Sequence, residues 1–373
     1  MRTLLFCLSF LISHFSFSEA QTSQVSVAPY WGGRQAALSL TFDDGLEDQY
    51  TLAWPELKKR GLRATFAVIG SKVGGIVHSK QDRQDGVSGT PCMTWDMLRT
   101  LAADGQEIAS HGWEHRGLTR LSAEALRHEV QANDSAIYRE TGQWPLTFVY
   151  PGNNKSPQVI AFCEQGRVGS RTFQTSFGSW GQAPDPELGQ RSCPHDPELG
   201  QRSCPHDPEL GQCSCPPDPR AYVDTLLTRR EWGVTMTHGI ARGYDHFADP
   251  QVLWAFLDLL VERQDQLWVA PFREVSAYVR ERDDVTLTVR QSDPLEGICK
   301  LEGICNPRLT VTPSTTLDAR LYSQPLTLIL HDCHVEQASQ TDRPLTVYEH
   351  NGRQMVDFNP HGGPIVILLH TNN

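Results

Sequence analysis

Three groups of residues in the 373-residue chain have the types and spacing of a reactive site. Thr41-Phe42-Asp43-Asp44-Gly45 puts adjacent carboxylates at the end of an apolar run. Successive strand residues point to opposite sides, so the two carboxylates diverge and suit different roles, one binding a metal and the other acting as a base. Asp-Asp-Gly alone equally describes a loop start with helix-capping aspartates. His111-Gly112-Trp113-Glu114-His115 spaces two imidazoles at i and i+4. On a helical turn both rings then lie on one side, the spacing metal sites use, although a pair of surface histidines has the same spacing. Asp44 added to them gives two nitrogens and one oxygen, a set that leaves an open position for water and so favours catalysis over a closed structural site. His238, in Thr237-His238-Gly239, ends another apolar run. Its near-neutral titration suits a proton donor, and a polar strand end is the plain alternative.

Each group follows a strand-like run, and the runs alternate with helical stretches. Ala37–Phe42, Arg63–Ile69, Glu107–Ser110, Thr147–Tyr150, Gly233–Thr237 and Leu267–Ala270 read as strands. Between them lie a helix ending at Arg60, one capped by Thr94 and running to Ala103, and one opened by Ser122. Further helices are expected over Ala221–Trp232, Val252–Leu260 and Val275–Arg280. This order predicts a parallel sheet, open or closed as a barrel, in which functional residues collect at the C-terminal strand ends. From Val285 the pattern changes to short β-type runs at Thr286–Val289, Leu309–Thr312, Leu326–Leu330, Leu345–Tyr348, Gln354–Phe358 and Ile365–Leu369, with a hairpin turn at Asn351-Gly352. A small all-β, sandwich-like domain over 283–373 is expected, with its boundary near Arg282.

Taken in order, TFDDG at 41–45, SHGWEH at 110–115, Tyr-Pro-Gly at 150–152 and THG at 237–239 resemble the polysaccharide deacetylase family, carbohydrate esterase family 4. The resemblance runs from Ala36 to Arg282 and implies a distorted (β/α) barrel of about seven strands within an α/β unit over 21–282. It also implies removal of acetyl groups from a glycan with a divalent metal, usually zinc. On this resemblance Asp44, His111 and His115 are metal ligands, Asp43 is the general base and His238 the general acid. The backbone N–H of Gly152, where the family usually has tyrosine, matches an oxyanion donor. Trp113, between the two histidines, and Tyr150 are the aromatic side chains suited to substrate contact.

Two positions depart from the family pattern. Gly112 replaces the usual Ser or Thr that buttresses the site. Val149 stands at the usual arginine that pairs with the catalytic aspartate, and Arg171 in Val-Gly-Ser-Arg-Thr-Phe is expected to fill that role. The resemblance implies N-deacetylation of an amino-sugar glycan first. An O-acetyl esterase acting on a polysaccharide such as xylan would use the same residues, and an inactive glycan-binding protein is the reading from another class.

The remaining sequence bounds these readings. Met1–Ala20 has a basic Arg2, an apolar run from Leu4 to Phe17 and a small-residue ending, the layout of a signal peptide. A secreted protein, extracellular or periplasmic, is therefore expected. No later apolar run reaches the roughly 18 residues of a membrane span. A net charge of −11 without a basic block argues against nucleic-acid binding. Asp185–His195 is repeated identically at Asp196–His206 and again, diverged, at Asp207–Pro217; a second repeat, LEGIC, lies between Pro294 and Pro307. Rich in proline and glycine and without apolar periodicity, the insertion at 185–217 is expected to be an exposed loop with no catalytic role. Nine of the ten cysteines follow the leader, and six of these lie in the repeats, so disulfides are plausible but their pairing is open.

Overall fold

The computed structural model describes residues 25–78, 89–171, 219–243, 246–247, 249–292 and 307–370. The leader and both repeats lie outside them, so the expectations for those segments are not addressed by the fold. Among the described residues no helix is long and apolar enough to cross a membrane. Cys92, Cys163 and Cys333 carry free thiols, while the repeat cysteines fall outside the described segments.

The chain enters through β1 (Val25–Val27) and then β2 (Ala36–Phe42) and β3 (Thr65–Val68). The short pair β4 (Ile76–Val77) and β5 (Thr90–Pro91) precedes β6 (Glu107–Ser110), β7 (Thr147–Val149), β8 (Gly169–Arg171), β9 (Trp232–Thr237) and β10 (Leu267–Val269). Seven of these form one parallel sheet in the order β10-β2-β3-β6-β7-β8, with β9 also paired to β2. All seven residues of β2 are buried, as a strand covered on both faces must be. Leu38, Leu40 and Phe42 share one core with Leu57, Tyr222, Leu226, Phe256 and Leu257 of the surrounding helices. Ala37, Ser39 and Thr41 face the other way, into the concave side of the sheet.

Small side chains line that side: Ala67 of β3, Ala109 of β6 and Val149 of β7 form a cluster of their own. Below them Glu107, fully buried, accepts from Thr65 Oγ1 at 2.7 Å and the Arg273 amide at 2.8 Å, and also from Thr147 Oγ1. The sheet must curl strongly. Three strands lie between β2 and β8, which would set them about 19 Å apart in a flat sheet. Yet Arg171, at the end of β8, bonds Asp43, the residue following β2. The barrel expected from the sequence is therefore present.

The remaining described strands pair antiparallel. β11 (Thr286–Ser292), β12 (Arg308–Ser314), β13 (Leu326–Leu330), β14 (Val335–Gln340), β15 (Arg343–Leu345), β16 (Val347–His350), β17 (Arg353–Phe358) and β18 (Ile365–Leu369) build two sheets, β1-β13-β17-β16 and β11-β12-β18-β14-β15. Leu309, Val311, Leu328, Val356, Ile365 and Ile367 lie in one core with Trp268 and Tyr278 of the barrel unit. Asn351 and Gly352 join β16 to β17 as a two-residue turn with φ of 51° and 70°. Two placements differ from the sequence reading. Residues 25–27, expected with the barrel unit 21–282, pair with β13. Trp232, expected at a helix end, opens β9, because the helix stops at Arg229 and Arg230 turns left-handed. Its Nε1 donates to Ser39 Oγ at 3.1 Å, and its ring packs on Phe272.

The helix Phe272–Asp284 is held between barrel and sandwich, and it carries a buried carboxyl. Glu281 is fully buried and accepts from the Gln324 amide at 3.1 Å. Burial pushes its carboxyl from 4.5 up to about 8. The unfolded chain releases this proton near pH 4.5 and the folded chain only near pH 8, so the contribution to stability is complete below pH 4.5 and is lost as pH rises through 8. Glu281→Gln is expected to stabilise the protein at pH 9 by a few kcal/mol and to change little at pH 4, as read by denaturant unfolding at the two pH values.

Candidate active site

The strand ends at the barrel mouth carry the reactive groups. Asp43 continues the inward alternation of β2 and is buried, whereas Asp44 adopts φ of 70° and Gly45 φ of 67°. The left-handed turn swings the second carboxylate away from the first, so the divergence expected from strand alternation is produced by the turn. Left-handed non-glycine residues are uncommon and concentrate where a site over-determines the backbone.

His111 follows β6 and is buried, and its Nδ1 lies 2.8 Å from the Val149 carbonyl. With the proton on Nδ1 donated to that carbonyl, Nε2 presents its lone pair to Asp44 Oδ1 at 3.4 Å. His115 arrives by a loop and not on the helical turn expected from its spacing: Gly112 has φ of 78° and His115 φ of 61°. His115 Nε2 lies 3.7 Å from the same Asp44 oxygen, and the two imidazoles meet edge to face at 4.7 Å. All three ligand atoms fall within 4.8 Å of one another, the one such group found among the described residues.

This donor set fits a cation. Asp44 Oδ1 is buried without a hydrogen bond and faces two ring nitrogens, an arrangement that wants a positive charge between them. Burial alone would raise the Asp44 carboxyl, but the contact with His111 and the imidazole charges of His238, His115 and His111 hold it well below the usual carboxylate range. Desolvation by its neighbours, reinforced by the His111 charge, takes His115 down to about 4, although its side chain is 36% exposed. Burial opposes protonation of His111 as well, yet Asp44 and Asp43 raise it overall.

Asp43 points into the barrel, where Arg171 Nη2 donates to both its carboxylate oxygens. Val149 and Arg171 are register partners on β7 and β8. The guanidinium therefore reaches the aspartate from the strand beside the one expected from the family pattern and from the same level of the sheet. His238 follows β9, half-buried, close enough for its charge to act on Asp44 and His115. Gly152 is exposed with φ of 55°, and nothing lies within 4 Å of where a Cβ would stand.

The two aromatic side chains expected at the substrate are placed differently. Tyr150 is buried among Phe148, Val159 and Cys163, and its hydroxyl lies 3.1 Å from Ser170 Oγ; it is a core residue. Outward-facing in the strand register, it cannot reach the concave side. Trp113 is half-buried, resting on Gly70 and edge-on to His128.

Sequence reasoning missed Glu129. Its buried Oε1 accepts from the amides of Glu114 at 2.8 Å and Arg116 at 3.0 Å, on either side of His115. A Cβ at Gly112 would stand 2.9 Å from that oxygen, so glycine there makes room for the carboxylate that buttresses the loop. Mid-helix in a plain amphipathic pattern, Glu129 gives no local signal. Glu129→Leu is expected to weaken divalent-metal binding by about 10–100-fold, checked by competition with a chromophoric chelator.

Residues 32–165 match the model of the polysaccharide deacetylase family. The peptidoglycan-N-acetylglucosamine deacetylase PgdA of Listeria monocytogenes is 26% identical over 123 residues, covering 33% of this chain and 22% of that protein. The peptidoglycan-N-acetylmuramic acid deacetylase PdaA of Bacillus subtilis is 23% identical over 150 residues, 39% of this chain and 50% of that protein. The match thus spans between about a fifth and a half of these relatives. Among solved structures, the Xyl-CE4 domain of a multidomain xylanase from the hindgut metagenome of Trinervitermes trinervoides superposes with a TM-score of 0.39 at 18% identity, covering 64% of this chain and 89% of that one.

Proposed function

We propose that the protein is an exported, metal-dependent hydrolase that removes acetyl groups from a polysaccharide, acting on the N-acetyl groups of an amino-sugar glycan. The convergence of Asp44, His111 and His115 beside the buried Asp43–Arg171 pair carries this reading. The signal-peptide layout of Met1–Ala20 supports export. Two nitrogens and one oxygen suit zinc, and other divalent cations accept the same donors.

When bound by Asp44, His111 and His115, the cation supplies Lewis acidity toward water and the acetyl carbonyl. Asp43, held in place by Arg171, takes the proton of the attacking water. The Gly152 N–H donates to the oxygen that gains charge as the acetyl carbon becomes tetrahedral. His238 delivers a proton to the departing amine, or to an alcohol were the linkage an ester. Acetate release from N-acetylated and O-acetylated glycans by metal-replete protein tests the linkage. Turnover of the amino-sugar substrates is expected, and turnover of O-acetylated xylan alone would replace this reading with that of an esterase.

A further inference from the structure

One buried amide at the barrel mouth has no part in the steps above. Gln49, completely buried, begins a π-helical turn over Gln49–Ala53, a form often found at functional sites. Its Nε2 donates to the Asp43 carbonyl at 2.6 Å and to the His238 carbonyl at 2.8 Å, which uses both of its N–H groups. Asp43 and His238 leave the neighbouring strands β2 and β9, whose pairing ends with the Asp43 N–H on the Thr237 carbonyl at 2.8 Å. Beyond that bond the ladder no longer supplies donors, and buried carbonyls need them. Gln49 supplies two from one side chain.

The adjacent Asp48 holds the far side of the same loop. Its buried Oδ2 accepts from the amides of Ile240, Ala241 and Arg242 at 2.8, 2.9 and 3.2 Å. Gly239 lies between the two anchorages, and a Cβ there would come within 2.0 Å of the Arg242 carbonyl, so the loop has one tight path. Consecutive side chains thus grip the His238 loop on both sides of that glycine.

We propose that Asp48 and Gln49 form a clamp that sets the separation of Asp43 and His238, making Gln49 a positioning residue for the two proton transfers. The inference rests on the assignment of Asp43 as base and His238 as acid. Those groups act on different atoms of one substrate, and a shift of about 1 Å in such a pair costs about 10²-fold in rate.

Two variants test the clamp. Gln49→Glu keeps the shape but turns oxygen toward both carbonyls, and Gln49→Met keeps the bulk without any donor. In metal-loaded full-length protein, kcat for acetate release is expected to fall about 10²-fold in both, with KM and zinc affinity within about twofold of wild type. Asp48→Asn, which keeps one acceptor oxygen, is expected to fall between them and wild type. Leu57→Ala removes a buried side chain from the adjoining helix and serves as the control, lowering stability with kcat retained. Nitrogen NMR of labelled imidazoles gives a second readout, in which the His238 signals move in the Gln49 variants and stay in place in Leu57→Ala. Retained kcat with unmoved His238 signals in both Gln49 variants would overturn the clamp. Were wild-type protein to release no acetate, the functional reading would fall, and the His238 signals alone would decide: moved, they sustain the clamp; unmoved, they reject it.

Discussion

Arg171→Ala is expected to destabilise the protein by about 3–5 kcal/mol, because it strands the Asp43 carboxylate inside the barrel. The two side chains are 3% and 4% exposed, so water cannot take over the role of the guanidinium. Turnover should fall with stability, since Asp43 loses the partner that holds its carboxylate in place for proton transfer. The register of the sheet offers a sharper version of the test. Val149 and Arg171 are paired across β7 and β8 and face the same side. Val149→Arg combined with Arg171→Val moves the charge one strand over at the same level and is expected to recover part of both losses. Guanidinium denaturation and acetate release read the two quantities. An Arg171→Ala protein equal to wild type in both would show that the ion pair serves neither fold nor reaction.

Asp43→Asn gives the second large effect. The substitution keeps the shape and removes the negative charge that accepts the proton, and a general base contributes about 10²–10⁴-fold. A loss of kcat of that size is expected with bound metal unchanged, because Asp43 faces Arg171 while the candidate donors are Asp44, His111 and His115. Metal content is measured alongside turnover. Loss of metal together with activity would instead make Asp43 part of the ligand shell.

The candidate metal site was legible in the sequence because its chemistry is written locally: two carboxylates at one strand exit, and two imidazoles four residues apart. Its geometry was not. The i and i+4 spacing suggested a helical turn, whereas Gly112 and His115 take left-handed conformations that depend on Glu129, a side chain from the following helix. Arg171 was legible only against the family pattern, which has arginine where this chain has Val149; its placement follows from the pairing of β7 with β8. Asp48 and Gln49 were invisible because their partners are main-chain groups, those of the His238 loop about 190 residues away, and any sequence supplies such groups. In the fold, the barrel strands announced themselves as strand-like runs except β8, a buried but short and polar Gly-Ser-Arg segment. β14 and β15 gave no such signal, β14 being only partly buried and β15 mostly exposed, and β1 depends on a partner strand some 300 residues later. Tyr150 is adjacent in sequence to Pro151-Gly152, yet strand alternation buries it with Phe148, Val159 and Cys163.

The central claim is that the Asp44, His111 and His115 set, working with Asp43, hydrolyses acetyl groups on a glycan. Its most direct test is acetate release from N-acetylated oligosaccharides by the full-length protein, before and after metal removal by a chelator and again after zinc is restored. Release that stops on chelation, returns with zinc and is absent from zinc-loaded Asp43→Asn is the predicted result. Release that persists in the stripped protein, or in Asp43→Asn at the wild-type rate, would contradict the account.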